Sequence, residues 1–260
     1  MVGALLVRGM LAGVVAGLLC FGFLRIYGEP QVERAISFET QIEKSEAEAA
    51  HAAAHASGTP HSHDQHDHNG EQPELVSRST QAGLGLFVAV MVYSTAFGGL
   101  FALAFAFAYG RVPGALTPQA LSFWLAMLCF VAVYLVPNLK YPANPPAVGA
   151  AETIGSRTAL YFIMIAVSIA AMAAAYSLKR PLAARFGDWN ANLAIAGCYV
   201  VVVAVVGLLL PAVDEVPEHF PAALLWKFRI ASIGAQALMW GAIGLLFGAL
   251  AQRTLASQSH

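Results

Sequence analysis

The sequence predicts an all-α integral membrane protein, a bundle of about six transmembrane helices with a long polar His-rich loop between the first and the second. Three observations carry this reading. Of 260 residues, 58% are hydrophobic and only 11% are charged, against about 25% charged in a soluble domain. The mean hydropathy is +0.64. Six separate stretches are apolar over about the 20 residues that a helix needs to cross the hydrocarbon core.

The first span covers residues 2–27. Its apolar run is too long for a signal peptide and no small-residue cleavage site follows it, so it reads as a retained span. Gly9, Gly13 and Gly17 form a doubled GxxxG ridge along it, which lets another helix approach closely. The second span covers 82–109, where Phe101, Phe105 and Phe107 read as lipid-facing or core filler. The third covers 119–136, the fourth 158–178, the fifth 193–210 and the sixth 230–251. Pro137 and Pro211 close the third and fifth. Gly244 and Gly248 repeat the small-residue spacing in the sixth. Arg25 and Arg229, near span ends, are placed to snorkel to the interface. The three cysteines, Cys20, Cys129 and Cys198, all lie in apolar segments without a CxxC, and read as small buried hydrophobes.

Residues 43–74 form the one long polar run, and six of the eight histidines lie in it. His51 and His55 are four apart in an Ala/Glu-rich segment that favours helix, which puts both on one face. His61, His63, His66 and His68 follow in a Gly/Pro/Ser/Asp context that favours flexible loop, interleaved with Asp64 and Asp67. Neutral imidazole with carboxylate suits divalent transition metals, and a flexible set of interchangeable ligands selects weakly among nickel, copper, zinc and cobalt. A solubilising linker is the alternative reading.

Six spans put both termini on one side. The first, third and fifth connections, on the other side, then hold every acidic residue except Asp188. The compact Lys179-Arg180-Pro181 and Arg185 cluster marks the even-numbered connections as cytoplasmic. The His-rich loop then faces outward. It shares that face with residues 141–149, stiffened by Pro142, Pro145 and Pro146, and with residues 211–221. Non-helical backbone near membrane depth must be buried in protein or line a cavity. Asn138, Asn144, Asp214, Glu215, Glu218 and His219 are the candidate oxygen and imidazole ligands of a cation path there.

Within the spans there is no histidine and no acid, so a haem site or a buried proton relay has no ligands there. No nucleotide-binding, serine-hydrolase or zinc-protease motif occurs, and the reading is a non-enzyme. A net charge of −1 gives nucleic acid no footing.

Four strings then stand out: Arg25-Ile-Tyr-Gly-Glu-Pro30, Leu75-Val-Ser-Arg78, Ala143-Asn-Pro-Pro-Ala-Val-Gly149 and His219-Phe-Pro-Ala-Ala-Leu-Leu-Trp-Lys-Phe-Arg229. Together, in this order and over nearly the whole chain, they resemble the CbtA family of bacterial cobalt transporter subunits. The resemblance implies cobalt import linked to cobalamin biosynthesis across the inner membrane. It also implies a small partner similar to CbtB, with one span and a His-rich end. The family is described with five spans, which is the alternative to the six counted here. Co2+ is then cargo, with Ni2+ or Zn2+ as alternatives, and no permanently bound cofactor is expected. Lipid is the surrounding partner. The alternative function is a non-transporting metal-binding membrane protein, a sensor, buffer or assembly factor.

Overall fold

The computed structural model describes residues 2–56, 76–111, 116–146, 148–149 and 151–256. Six helices among them are long and apolar enough to cross a membrane, and no strand occurs among these residues. The first span, α1 (Val2–Phe23), passes through a π-helical stretch, Leu24–Gly28, into α2 (Glu29–Ala56). A single turn, α3 (Arg78–Thr80), and a second π stretch, Gln81–Gly85, lead into α4 (Leu86–Ala108). The third span is α5 (Pro118–Cys129), a third π stretch, Phe130–Leu135, and α6 (Val136–Lys140). A 3-10 turn, Ala151–Thr153, precedes α7 (Ile154–Ser177), and α8 (Lys179–Leu209) and α9 (Ala222–Ala256) complete the bundle.

Two of the π stretches precede a proline. Pro30 and Pro137 lack an N–H, and their rings crowd the carbonyl four residues back. Widening the preceding turn relieves that crowding without ending the helix. The third span therefore does not close at Pro137 as its sequence suggests; it runs one further turn to Lys140. That turn carries Asn138. Similarly, α2 carries the polar segment on as helix as far as Ala56. Residues 43–56 are therefore not loop. Neither Gly nor Pro interrupts residues 31–57, and Ala and Glu are strong helix formers.

The core joins the first, second, third and sixth spans. Gly9, Gly13 and Gly17 of α1 press on α4 so closely that an added Cβ would strike the Gly98 and Ser94 carbonyls and the Ser94 hydroxyl. In the sixth span Gly244 and Gly248 lie against Ala126 and Ser122 of α5, and Ser122 Oγ donates to the Gly244 carbonyl at 2.7 Å. Without a hydrophobic drive between helices in lipid, such close packing and interhelical hydrogen bonds, each about 0.6 kcal/mol, supply the association. Phe101 and Phe105 are buried against Phe247 at 5.5 and 5.0 Å, edge to face, whereas Phe107 is 70% exposed. Cys20 is buried, Cys129 is half-buried and Cys198 on α8 is exposed, so the expectation of three buried thiols holds for Cys20 alone.

The fourth and fifth spans form a hairpin on the flank of the third. Met164 packs with Val136 and Tyr141, and Ser168 Oγ and the Tyr199 hydroxyl lie 2.7 Å apart. Gly187, at φ +80°, ψ 160°, breaks α8 between residues 179–186 and the span proper. Beyond the bundle, the base of α2 packs through Ala35 and Phe38 on Val148, Phe220 and Leu224, with the Phe38 and Phe220 rings 5.3 Å apart. These contacts bring the first, third and fifth connections to one end of the bundle, as the loop count requires.

Candidate functional site

At that end the chain leaves helical geometry twice, at residues 141–149 and 210–221, and the two irregular segments enclose a pocket of about 390 Å³. Its floor is the extra turn of α6. Asn138 is 5% exposed, and its Oδ1 accepts the Ala143 N–H at 3.2 Å, which fixes the turn into the proline-rich segment. The Tyr141 hydroxyl donates to the Pro211 carbonyl at 2.9 Å and ties the two irregular segments together. Burial pushes that hydroxyl above the ordinary tyrosine range.

Two guanidinium groups line the pocket. Arg229 of α9 donates through Nη2 to Asn144 Oδ1 at 3.0 Å and through Nε to the Ala143 carbonyl at 3.4 Å. It therefore points into protein and does not snorkel outward, because these two oxygens answer its fork. Asp214 on the pocket wall lies within its electrostatic range. Arg157, in the first turn of α7, pairs through Nη1 with Glu215 Oε2 at 2.9 Å. Gly149, at φ +118°, lies against the Arg157 guanidinium where a side chain would collide with it. The Tyr134 hydroxyl completes the lining; it is buried and has no hydrogen-bond partner among the described residues.

The structure thus brings Asn138, Asn144, Asp214 and Glu215 to one pocket. Glu218 and His219 are exposed and do not line it, because the turn at 218–219 faces away from the wall formed by 213–216. His51 is exposed on α2, and His55 lies in the last turns of the same helix. His61, His63, Asp64, His66, Asp67 and His68 lie outside the described residues. Among the described residues no three His, Cys, Asp or Glu side chains are grouped to hold a metal ion. The residues that sequence reasoning missed are Arg157, Arg229 in its inward role, and Tyr134. The one available signal was an arginine at the start of each of two apolar spans.

A second polar contact lies at the root of α2 (Glu29–Ala56), the stalk that continues the first span. The Glu29 carboxylate, in a residue only 9% exposed, accepts from the Arg78 guanidinium and joins the first span to the start of the second. Deeper in the bundle, Cys20, Tyr93, Gln236 and Met239 line an apolar pocket of about 310 Å³. There Gln236 Nε2 donates to the Tyr93 hydroxyl at 3.4 Å.

Glu29 with Arg78, and Asn144 with Arg229, join four separate sequence strings in two pairs. A family model described as "Probable cobalt transporter subunit (CbtA)" matches residues 2–252, which include all four. The chain belongs to the CbtA family. That family is a class of transporter subunits, not of enzymes. No curated protein and no solved structure matches the chain. In this CbtA chain two of the strings reach the pocket: Ala143, Asn144 and Val148 come from the third and Arg229 from the fourth.

Proposed function

We propose that the chain is the membrane subunit of a divalent transition-metal importer, with cobalt as cargo for cobalamin biosynthesis. Membership in a family of probable cobalt transporter subunits carries this reading. The pocket of amide, carboxylate and phenol oxygens at one end of the bundle supports it. Hard oxygen ligands suit a partly hydrated Co2+, and imidazole suits it as well. In this reading the His-rich segment, His51 to His68 with Asp64 and Asp67, gathers metal outside the inner membrane. Asn138, Asn144, Asp214 and Glu215 receive it, with Glu218 and His219 at the rim. Both termini face the cytoplasm.

Further passage needs ligands inside the bundle. Tyr134 and Tyr93 lie within electrostatic range of each other, and Tyr93 lines the interior pocket with Gln236, Cys20 and Met239. Amide oxygen, thiol and thioether are ligands that Co2+ accepts. A small single-span His-rich partner similar to CbtB contributes the remainder of the importer.

The test is cobalt uptake in cells lacking other cobalt importers, with the chain alone and with its small partner. A variant with His51, His55, His61, His63, His66 and His68 changed to alanine is included. Uptake that requires the chain, and that weakens in the variant mainly at low cobalt, supports the proposal. Metal binding by purified protein without any uptake makes the chain a buffer or sensor instead.

A further inference from the structure

The outer pocket is charge-balanced before any cargo arrives. Arg157 and Arg229 face Asp214 and Glu215, so a divalent cation entering it meets a site whose carboxylates are already answered. The two arginines are not held alike. Arg229 is anchored by two hydrogen bonds to the proline-rich segment. Among the described residues Arg157 makes one ion pair, to Glu215, and its side chain is 26% exposed against 12% for its partner. It also sits in the first turn of α7, at the positive end of the helix dipole, which disfavours a cation. Below this pair, the Tyr134 hydroxyl is buried, lines the same pocket and has no partner among the described residues. A buried hydroxyl left without a partner is costly unless something else satisfies it.

We propose that Arg157 is a tethered stand-in for the cargo: an arriving divalent cation displaces its guanidinium from Glu215 and takes the Glu215 carboxylate, with the Tyr134 hydroxyl and the Asn138 and Asn144 oxygens near by. This rests on the importer reading and deepens it. The exchange of one cation for another keeps the carboxylate paired throughout, so the site is never left as an uncompensated buried charge. When the metal moves on, Arg157 returns and resets the site. Gly149 leaves the space in which the guanidinium lies in the resting state. The same competition keeps the resting affinity moderate, as a carrier that must release its cargo requires.

The measurement is Co2+ affinity of the full chain in detergent micelles, by calorimetry, with the six histidines of the His-rich segment, His51 to His68, changed to alanine to silence binding there. In that background Arg157→Gln removes the competitor, and Co2+ binds about fivefold tighter or more, the equivalent of an ion pair partly exposed to water. Arg157→Lys, a weaker partner for Glu215, gives an intermediate gain, and Glu215→Gln removes binding with or without Arg157. Equal or weaker binding in Arg157→Gln, or in Arg157→Lys should the first variant not fold, overturns the proposal, as does absence of Co2+ binding in the parent and Arg157→Gln alike. Cobalt uptake by the unsubstituted chain, measured in parallel, separates the two failures. Uptake with no affinity gain defeats the displacement alone, whereas no uptake even with the small partner present defeats the importer reading beneath it.

Discussion

Arg229 Nη2 donates to Asn144 Oδ1 at 3.0 Å, and the same guanidinium reaches the Ala143 carbonyl through Nε. One residue near the start of the sixth span thereby fixes the irregular segment that follows the third. A planar fork with several donors makes both contacts at once, which an ammonium group does not. Arg229→Lys is therefore expected to lose one of them and lower stability by about 1 kcal/mol. Thermal unfolding of the detergent-solubilised protein reads this as a lower Tm; a Tm equal to that of the parent would show that the fork is not needed.

The pocket separates Glu215 from its neighbour in sequence Glu218. Glu215 is paired on the pocket wall, whereas Glu218 and His219 are exposed beyond it. Glu215→Gln is expected to lower cobalt uptake about tenfold or more, the scale of losing one charged partner. Glu218→Gln and His219→Ala, at the rim, are expected to lower it less than about twofold, the scale of exposed charges. Initial uptake rates at low cobalt decide this, and equal losses at 215 and 218 count against the pocket.

Glu29 and Arg78 hold the stalk root to the second span. Removing one partner leaves the other partly buried and unanswered. Glu29→Ala is expected to destabilise the chain by about 1–3 kcal/mol. The reversed pair, Glu29→Arg with Arg78→Glu, recovers part of that loss if the ion pair itself is what matters. Comparing the Tm of the single and double variants measures the coupling directly.

The first and second spans meet at glycine. A side chain at Gly13 would collide with the Ser94 carbonyl and with Thr95 Cα, the latter at 2.9 Å. Gly13→Val is expected to destabilise by about 1–3 kcal/mol or more, because backbone on both sides resists displacement. Gly22, on the same helix, has nothing within 4 Å of an added Cβ. Gly22→Val is the control, and a comparable loss there would point to helix propensity and not to contact.

The stalk is held low on α2. Phe38 and Ala35 make its contacts with Phe220 and Val148, well before the histidines begin. Phe220→Ala is expected to cost about 3 kcal/mol. Deletion of residues 58–70 removes none of these contacts and is expected to leave Tm and membrane insertion unchanged. Loss of expression on that deletion would show that residues 58–70 contribute to the fold.

Much of the architecture follows from the sequence alone. Apolar length fixes six spans, because in lipid a chain must satisfy its backbone hydrogen bonds within each helix. The GxxxG rows at Gly9, Gly13, Gly17 and at Gly244, Gly248 fix where helices touch, because only there can backbones approach. The acid-rich connections share one end for the same topological reason, and the prolines at 142, 145 and 146 mark the irregular backbone that lines the pocket. What only the tertiary structure decided is which polar groups face one another. Asn138 lies beyond Pro137, where the sequence suggests a helix end, and only a widened turn carries it into the pocket. Arg157 and Glu215 are 58 positions apart in sequence and 2.9 Å apart in space. Local pattern reports the face and period of one helix; it holds no record of the distance between two of them. Arg229 therefore reads as a span-end charge in the sequence and Arg157 goes unmarked there, and their inward roles come from the packing of the helices that bear them.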